Sequence, residues 1–215
     1  MSRNIRVVPA ILTDNPAALE NMVRQVETYT KYAQFDIMDG QFVPSHSITW
    51  EHIASLPTKL TWEAHLMVMR PENYLQGFLQ AGAKKVVFHY EATSSPQKVI
   101  NLARTLGLGV GLAVNPETTL ESFLPIVDEV DSVLFLTVNP GYYGSKFIPE
   151  VMDKVKELRS VRPEIEIGVD GGIKEANITS IARAGVDVIY VGSAISLQPD
   201  PGESYRRLLA LAKQG

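Results

Sequence analysis

Short apolar segments rich in β-branched residues recur along the chain at nearly even intervals. There are eight of them, at residues 5–12, 32–38, 60–68, 85–90, 108–114, 132–138, 165–169 and 186–191. Each is almost continuously hydrophobic, which is typical of strands in a parallel sheet that is covered on both faces. The pattern therefore predicts eight buried parallel strands.

Amphipathic stretches with the period of a helix separate these segments. They lie at residues 17–29, 71–81, 95–106, 120–127, 149–161 and 177–184, and a further one at 202–213 follows the last strand. Strict alternation predicts right-handed βα units, and eight units favour a closed (β/α)8 TIM barrel. The alternative is an open doubly wound sheet. Two features disfavour it: residues 12–16 lack the dinucleotide-binding glycines, and the even spacing shows no half-way switch point.

Length and composition narrow the class of protein. The chain has 215 residues, which suits one barrel, so a single domain over residues 1–215 is expected. Its formal net charge of −4 gives no reason to expect a nucleic-acid partner. The absence of cysteine excludes disulfides and thiolate metal sites. No apolar stretch approaches the roughly 20 residues that span a bilayer, so we expect a cytoplasmic protein with no membrane partner.

Polar side chains concentrate where the predicted strands end. This set comprises Asp36, His65, His89, Asn115, Asn139, Asp170 and Ser193. Packing does not require polar groups at these positions, and barrels of this type carry their chemistry at the carboxyl ends of the strands. The functional face is therefore predicted there.

Asp36 and Asp170 are the candidate acid/base pair. They end the second and seventh strands, so they are expected to face each other across the mouth of the barrel. Two carboxylates on opposite sides of one carbon can remove a proton and return one, which inverts a stereocentre beside a carbonyl. The alternative is that each is a buried aspartate satisfied by backbone N–H groups at a tight turn.

His65 ends the third strand and adds a nitrogen donor to this pair. Together with Asp36 and Asp170 it could hold a divalent metal, which would neutralise the enediolate formed by proton abstraction. The alternative is a histidine that only hydrogen-bonds a carboxylate.

Glycine-rich loops follow the last three strands. The candidate phosphate ligands are Gly141, Gly144, Gly171, Gly172, Gly192 and Ser193. Glycine lets the backbone approach a ligand closely, and helix N-termini offer free N–H groups to an anion. Barrels often bind phosphate through the loops after strands 7 and 8, so a phosphorylated substrate is predicted.

Taken together, the motifs resemble those of the ribulose-phosphate 3-epimerase family over nearly the whole chain. The matching phrases are Asp36-Ile-Met-Asp-Gly, Phe42-Val-Pro, His65-Leu-Met-Val, Val138-Asn-Pro-Gly and Val169-Asp-Gly-Gly-Ile. The family interconverts ribulose 5-phosphate and xylulose 5-phosphate. The resemblance implies a TIM barrel of the ribulose-phosphate-binding type, in which Asp36 and Asp170 exchange protons and bind a metal with His65. It also implies that Met38 and Met67 line the pocket, and that the protein is a homo-oligomer.

Three positions depart from the family pattern. Gln34 stands where the family has a metal-binding histidine, Ala10 where it has a substrate-binding serine, and Leu136 where it has a methionine. An amide oxygen is a weaker, harder donor than imidazole. The expected cofactor is therefore a divalent cation (Zn²⁺, Fe²⁺, Mn²⁺ or Mg²⁺) that is weakly bound or absent, with Gln34 as a candidate fourth ligand.

Two alternatives to the epimerase remain open from the sequence. One is a diverged barrel that acts on another sugar phosphate, such as a hexulose 6-phosphate epimerase or lyase. The other is a non-catalytic sugar-phosphate binder. The pocket is expected to be lined by Ala10, Met38, Met67, Leu136 and Asn139, and Tyr142-Tyr143 is the candidate lid.

Overall fold

The computed structural model of the protein describes residues 4–141 and 146–215. The candidate lid, Tyr142-Tyr143, and one candidate phosphate ligand, Gly144, lie outside the described residues.

Eight parallel strands close into a barrel in sequence order. They are β1 (Arg6–Ile11), β2 (Tyr32–Met38), β3 (Thr61–Met67), β4 (Lys85–His89), β5 (Gly109–Val114), β6 (Ser132–Leu136), β7 (Glu166–Asp170) and β8 (Val188–Val191). Closure is made by β1 and β8, which pair from Arg6 with Val188 to Pro9 with Val191. The TIM barrel predicted from the sequence is confirmed, and the open sheet is excluded because the first and last of the described strands pair with each other.

Helices follow the strands on the outside of the barrel. They are α1 (Pro16–Glu27), α2 (Trp50–Ala54), α3 (Leu75–Gln80), α4 (Pro96–Thr105), α5 (Leu120–Phe123), α6 (Val151–Val161), α7 (Glu175–Arg183), α8 (Ser193–Ser196) and α9 (Pro201–Ala212). The predicted helix at 71–81 is divided into a 3-10 turn, Pro71–Asn73, and α3. The predicted helix at 120–127 becomes a short α5 followed by a 3-10 segment, Leu124–Glu129, where Pro125 has no N–H to continue an α-helix. Within the described ranges, no helix has the length and apolar character needed to cross a bilayer.

Strand alternation divides the side chains into an outer and an inner set. Along β3, for example, Trp62, Ala64 and Leu66 belong to the hydrophobic core outside the strands. Glu63 and His65 alternate with them and therefore point into the barrel. The same alternation along β2 turns Gln34, Asp36 and Met38 inward, so these side chains stand on a strand that is paired on both sides.

A polar cluster fills the amino-terminal end of the barrel, opposite the predicted active face. Buried Glu63 accepts a hydrogen bond from the Tyr32 hydroxyl at 2.8 Å and lies 3.3 Å from the Lys85 ammonium. Lys85 also lies 3.2 Å from Glu166, which pairs with Arg6. This ion-pair network closes the bottom of the barrel.

Candidate active site

Asp36 and Asp170 lie together at the mouth of the barrel, linked by one amide. The side-chain nitrogen of Gln34 donates to Asp36 Oδ1 at 2.9 Å and to Asp170 Oδ2 at 3.0 Å. The two carboxylates are mostly buried, with side-chain exposures of 10% and 13%. They are therefore close enough to act on the same small molecule, and neither is satisfied by backbone N–H groups alone.

His65 completes this cluster. Its Nδ1 atom lies 3.0 Å from Asp36 Oδ1 and 3.6 Å from Asp170 Oδ2, and its ring is buried. Burial by itself lowers the pKa of the imidazole, but the hydrogen bond to Asp36 and the charges of both aspartates raise it above its ordinary value. His65 therefore presents Nδ1 to both carboxylates.

Asp170 has an environment that favours its protonated form. Burial, followed by the charge of Asp36, raises the pKa of the Asp170 carboxyl to about 7, against the opposing effects of His65 and Gln34. Two carboxylates whose oxygen atoms lie within 4.8 Å cannot both ionise easily, so one retains a proton to higher pH. A carboxyl with such a pKa can give and take a proton near neutrality.

The ring of His89, from the end of β4, lies behind His65. The two Nε2 atoms are 2.9 Å apart, and both rings are buried. Burial is the largest of the effects that set the pKa of His89, and the net result lowers it to about 4. His89 is therefore neutral over the physiological range.

The pocket above the carboxylates has an apolar wall and a glycine-built end. The apolar wall includes Ala10, Leu12, Met38, Met67, Leu136 and Val138. The other end is lined by Pro140, Gly141, Gly171, Gly172, Ile173, Lys174, Gly192 and Ser193. Asn139 was predicted to line the pocket, but it is exposed, because the chain has left β6 and its neighbours Val138 and Pro140 face the pocket instead.

Gly171 and Gly172 form the tightest part of the glycine-built end. Their φ angles are +109° and +65°, a region that favours glycine. A Cβ atom at Gly171 would lie 2.4 Å from the Val138 side chain, and one at Gly172 would lie 2.9 Å from the Phe147 backbone. These two positions therefore keep bare backbone against the pocket, as an anion site requires.

Two loops are joined beside this end of the pocket. The Ser45 hydroxyl, after β2, donates to the Gly141 carbonyl, after β6, at 2.6 Å. This contact ties the loop after β6 to the loop after β2.

Lys174 is a residue of the site that the sequence patterns did not identify. It precedes α7, directly after the Gly171-Gly172-Ile173 segment, and it lines the pocket. Among the described lining residues it is the one lysine or arginine. A basic residue next to a glycine pair at a helix start was a signal that could have identified it.

The possible metal ligands form one group. Single atoms of Asp36, His65 and Asp170 lie within 4.8 Å of one another. Gln34 Oε1 is buried and has no hydrogen-bond partner among the described residues. Three donors and an unsatisfied amide oxygen fit a divalent cation of oxygen and nitrogen preference.

Comparison with known proteins agrees with this geometry. The sequence profile of the ribulose-phosphate 3-epimerase family matches residues 6–196. A ribulose-phosphate 3-epimerase from Schizosaccharomyces pombe is 36% identical over 204 residues, covering 92% of this chain and 90% of that protein. The cytoplasmic isoform from Oryza sativa subsp. japonica is 37% identical, covering 92% and 90%.

Solved structures show the same fold at low identity. The 3-hexulose-6-phosphate synthase from Salmonella typhimurium has a TM-score of 0.74 at 19% identity, covering 98% of this chain and 99% of that one. KGPDC from Streptococcus mutans has a TM-score of 0.77 at 12% identity, with 99% of each chain covered. The profile match and the similarity to curated relatives over nine-tenths of the chain show that this protein belongs to the ribulose-phosphate 3-epimerase family.

Proposed function

We propose that the protein is an epimerase that interconverts D-ribulose 5-phosphate and D-xylulose 5-phosphate by inverting C3. One observation carries this proposal: Asp36 and Asp170 both accept a hydrogen bond from the Gln34 amide, so the two carboxylates lie together. They line the same pocket as the glycines of the predicted phosphate site. The family membership supports the same reaction.

The pocket orients the substrate between its glycine-built end and the two carboxylates. The phosphate binds at Gly171, Gly172 and Gly192-Ser193, with Lys174 as its counter-charge. The sugar then extends toward the carboxylates along the apolar wall. This orientation places C3 between Asp36 and Asp170.

Proton exchange follows from the different states of the two carboxyl groups. Asp36 as carboxylate takes the proton from C3, and the electron pair of the C3–H bond forms the C2–C3 double bond of an enediolate. Asp170, whose pKa of about 7 leaves it partly protonated, returns a proton to C3 from the opposite face. The double-bond pair forms the new C3–H bond, the C2 carbonyl is restored, and the reverse reaction exchanges the two roles.

Asp36, His65, Asp170 and the Gln34 amide oxygen would hold a divalent cation. Because a half-turn of the Gln34 amide exchanges its nitrogen for its oxygen, the residue can either bridge the carboxylates or join them as a ligand. When bound, the cation supplies positive charge that stabilises the developing oxyanion. Two carboxylates and an amide oxygen are hard donors, so we propose Mg²⁺ or Mn²⁺ in preference to Zn²⁺ or Fe²⁺.

Three further expectations concern the location, the assembly and the domain organisation of the protein. We propose a cytoplasmic location, which the relative described as a cytoplasmic isoform supports. The homo-oligomer and the single domain over residues 1–215 also stay predictions.

A coupled assay with ribulose 5-phosphate tests the proposal. The purified protein is assayed after chelation and then with added Mg²⁺, Mn²⁺, Zn²⁺ or Fe²⁺. We expect turnover, with the highest rate in Mg²⁺ or Mn²⁺. Lack of turnover with every metal would overturn the epimerase, and full activity after chelation would overturn the metal requirement. Hexulose 6-phosphate in a parallel arm identifies the alternative substrate.

A further inference from the structure

A buried chain of polar groups leads away from the carboxylates, behind His65. The Nε2 atoms of His65 and His89 are 2.9 Å apart, and their rings stack at 5.1 Å between centroids and 23° between planes. Two nitrogens at this distance need one hydrogen between them, because two donors or two acceptors would repel. The tautomers of the two rings are therefore linked.

Glu91 determines the direction in which hydrogen bonds are donated along this chain of polar groups. Its Oε2 atom lies 3.4 Å from His89 Nδ1, and both atoms are buried without a hydrogen-bond partner of good geometry among the described residues. A carboxylate oxygen only accepts, so a hydrogen of the His89 ring belongs on Nδ1, where it faces Glu91. Nε2 of His89 then carries a lone pair and accepts from the Nε2–H of His65.

The carboxylate end of the chain is held in place by groups outside the active site. Glu91 Oε1 accepts a hydrogen bond from the backbone N–H of Asn115 at 2.9 Å and another from the Thr118 hydroxyl. The Phe42 ring packs against His89 at 4.6 Å between centroids. These contacts fix both Glu91 and the plane of the His89 ring.

We propose that His89 and Glu91 are positioning residues that fix the tautomer of His65. With one hydrogen held on Nε2, His65 faces Asp36 and Asp170 with its Nδ1 atom, 3.0 Å and 3.6 Å away. A second hydrogen on the ring donates from Nδ1 to the carboxylates, and without it Nδ1 is the atom free to ligate a cation. The role in turnover rests on the proposed function, but the tautomer assignment does not.

Nitrogen-15 NMR of histidine-labelled protein tests the assignment directly. The chain has four histidines, so the spectrum is simple, and His46 and His52 serve as internal references for rings outside the chain of polar groups. We expect hydrogen on Nδ1 of His89 and on Nε2 of His65. Hydrogen on Nε2 of His89 would overturn the proposal, whether or not the protein turns over ribulose 5-phosphate.

A matched pair of variants separates positioning from packing. His89→Gln keeps an acceptor at the end of the side chain, whereas His89→Leu fills the space without one. We expect His89→Leu to weaken Mg²⁺ or Mn²⁺ affinity and kcat by about 10- to 100-fold, with KM nearly unchanged, and His89→Gln to restore most of the loss. Equal behaviour of the two variants would overturn the proposal.

Glu91→Gln provides a second route if His89→Leu does not fold. The amide has the size of the carboxylate but no longer forces the hydrogen onto Nδ1 of His89. We expect the NMR signals of His89 and His65 to show a mixture of tautomers, with a smaller loss of metal affinity. Unchanged tautomers in this variant would show that Glu91 does not set them.

Discussion

The side-chain amide nitrogen of Gln34 donates a hydrogen bond to the carboxylate of Asp36, two residues along the same strand, at 2.9 Å. The two side chains share the inner face of β2, so the contact follows from the alternation of a strand. The same nitrogen reaches Asp170 on the far side of the barrel. A neutral amide therefore occupies the position between the carboxylates where the family pattern has an imidazole.

Gln34→His is expected to change which metal the protein binds. An imidazole in place of an amide oxygen favours Zn²⁺ or Fe²⁺ over Mg²⁺. Both proteins are dialysed against equimolar Zn²⁺, Fe²⁺ and Mg²⁺, and their metal content is measured by mass spectrometry. The variant should contain more Zn²⁺ than the wild type. Gln34→Leu is the control, since it removes the donor and should bind less of every metal. An unchanged metal ratio in Gln34→His would contradict a ligand role for this position.

Asp170→Asn is expected to abolish epimerisation without weakening phosphate binding. The amide cannot exchange a proton with C3, and acid/base groups contribute about 10² to 10⁴ in rate. The glycine-lined end of the pocket does not depend on this charge. Turnover of ribulose 5-phosphate measures the loss of epimerisation. Calorimetry with inorganic phosphate measures whether phosphate binding is kept. A variant that keeps a tenth of wild-type kcat would not fit the proposed role.

The stability of the metal-free protein is expected to fall as pH rises from about 4 to 7, relative to Asp170→Asn. The Asp170 pKa is about 7 in the fold and about 4 in the unfolded chain, so the folded state binds the proton more tightly. This contribution is complete below pH 4 and lost above pH 7, with a difference of up to about 4 kcal/mol. Urea unfolding in chelator at several pH values measures it. Parallel profiles for the two proteins would contradict the raised pKa.

Lys174→Met is expected to raise KM for the sugar phosphate about five-fold and leave kcat nearly unchanged. The ammonium lies beside the glycine-lined end of the pocket, and an exposed ion pair has this modest effect. Added salt should weaken binding to the wild type more than to the variant. The matched control is Lys213→Met, because Lys213 is exposed after α9 and does not line the pocket. An equal KM change in both variants would rule out a local effect.

Glu63→Ala is expected to lower the free energy of unfolding by about 3 kcal/mol or more. It leaves the partly buried Lys85 with one partner fewer and removes the acceptor of the Tyr32 hydroxyl. Glu63→Gln keeps an acceptor and should lose less. Urea unfolding measures both variants, and KM for the substrate should stay near the wild-type value, since Glu63 lies at the opposite end of the barrel. A Glu63→Ala protein of wild-type stability would mean that the network contributes nothing.

Much of this architecture could be predicted from the sequence because its signals are local. Apolar runs and helix periods give the barrel, and the strand ends give Asp36, His65 and Asp170. The four-residue helix α8 is too short to produce a periodic pattern, so the sequence did not reveal it.

The contacts that sequence reasoning could not supply join residues far apart in the chain. Gln34 and Asp170 are separated by 136 positions, and His65 and His89 by 24. No local pattern encodes which nitrogen of a ring faces a carboxylate. These details depend on how strands from opposite sides of the barrel close upon one another.

The polar network of Glu63, Lys85, Tyr32 and Glu166 has a consequence for isotope exchange. It fills the lower end of the barrel, and the buried cluster that contains Tyr190 and Leu134 packs against Tyr32 of this network. Within the described part of the chain, the upper mouth is then the route by which water reaches Asp36 and Asp170. In the proposed orientation, a bound sugar phosphate covers that mouth. In the proposed reaction, a deuterium taken from C3 therefore stays on the enzyme until the product departs, and only then enters the solvent.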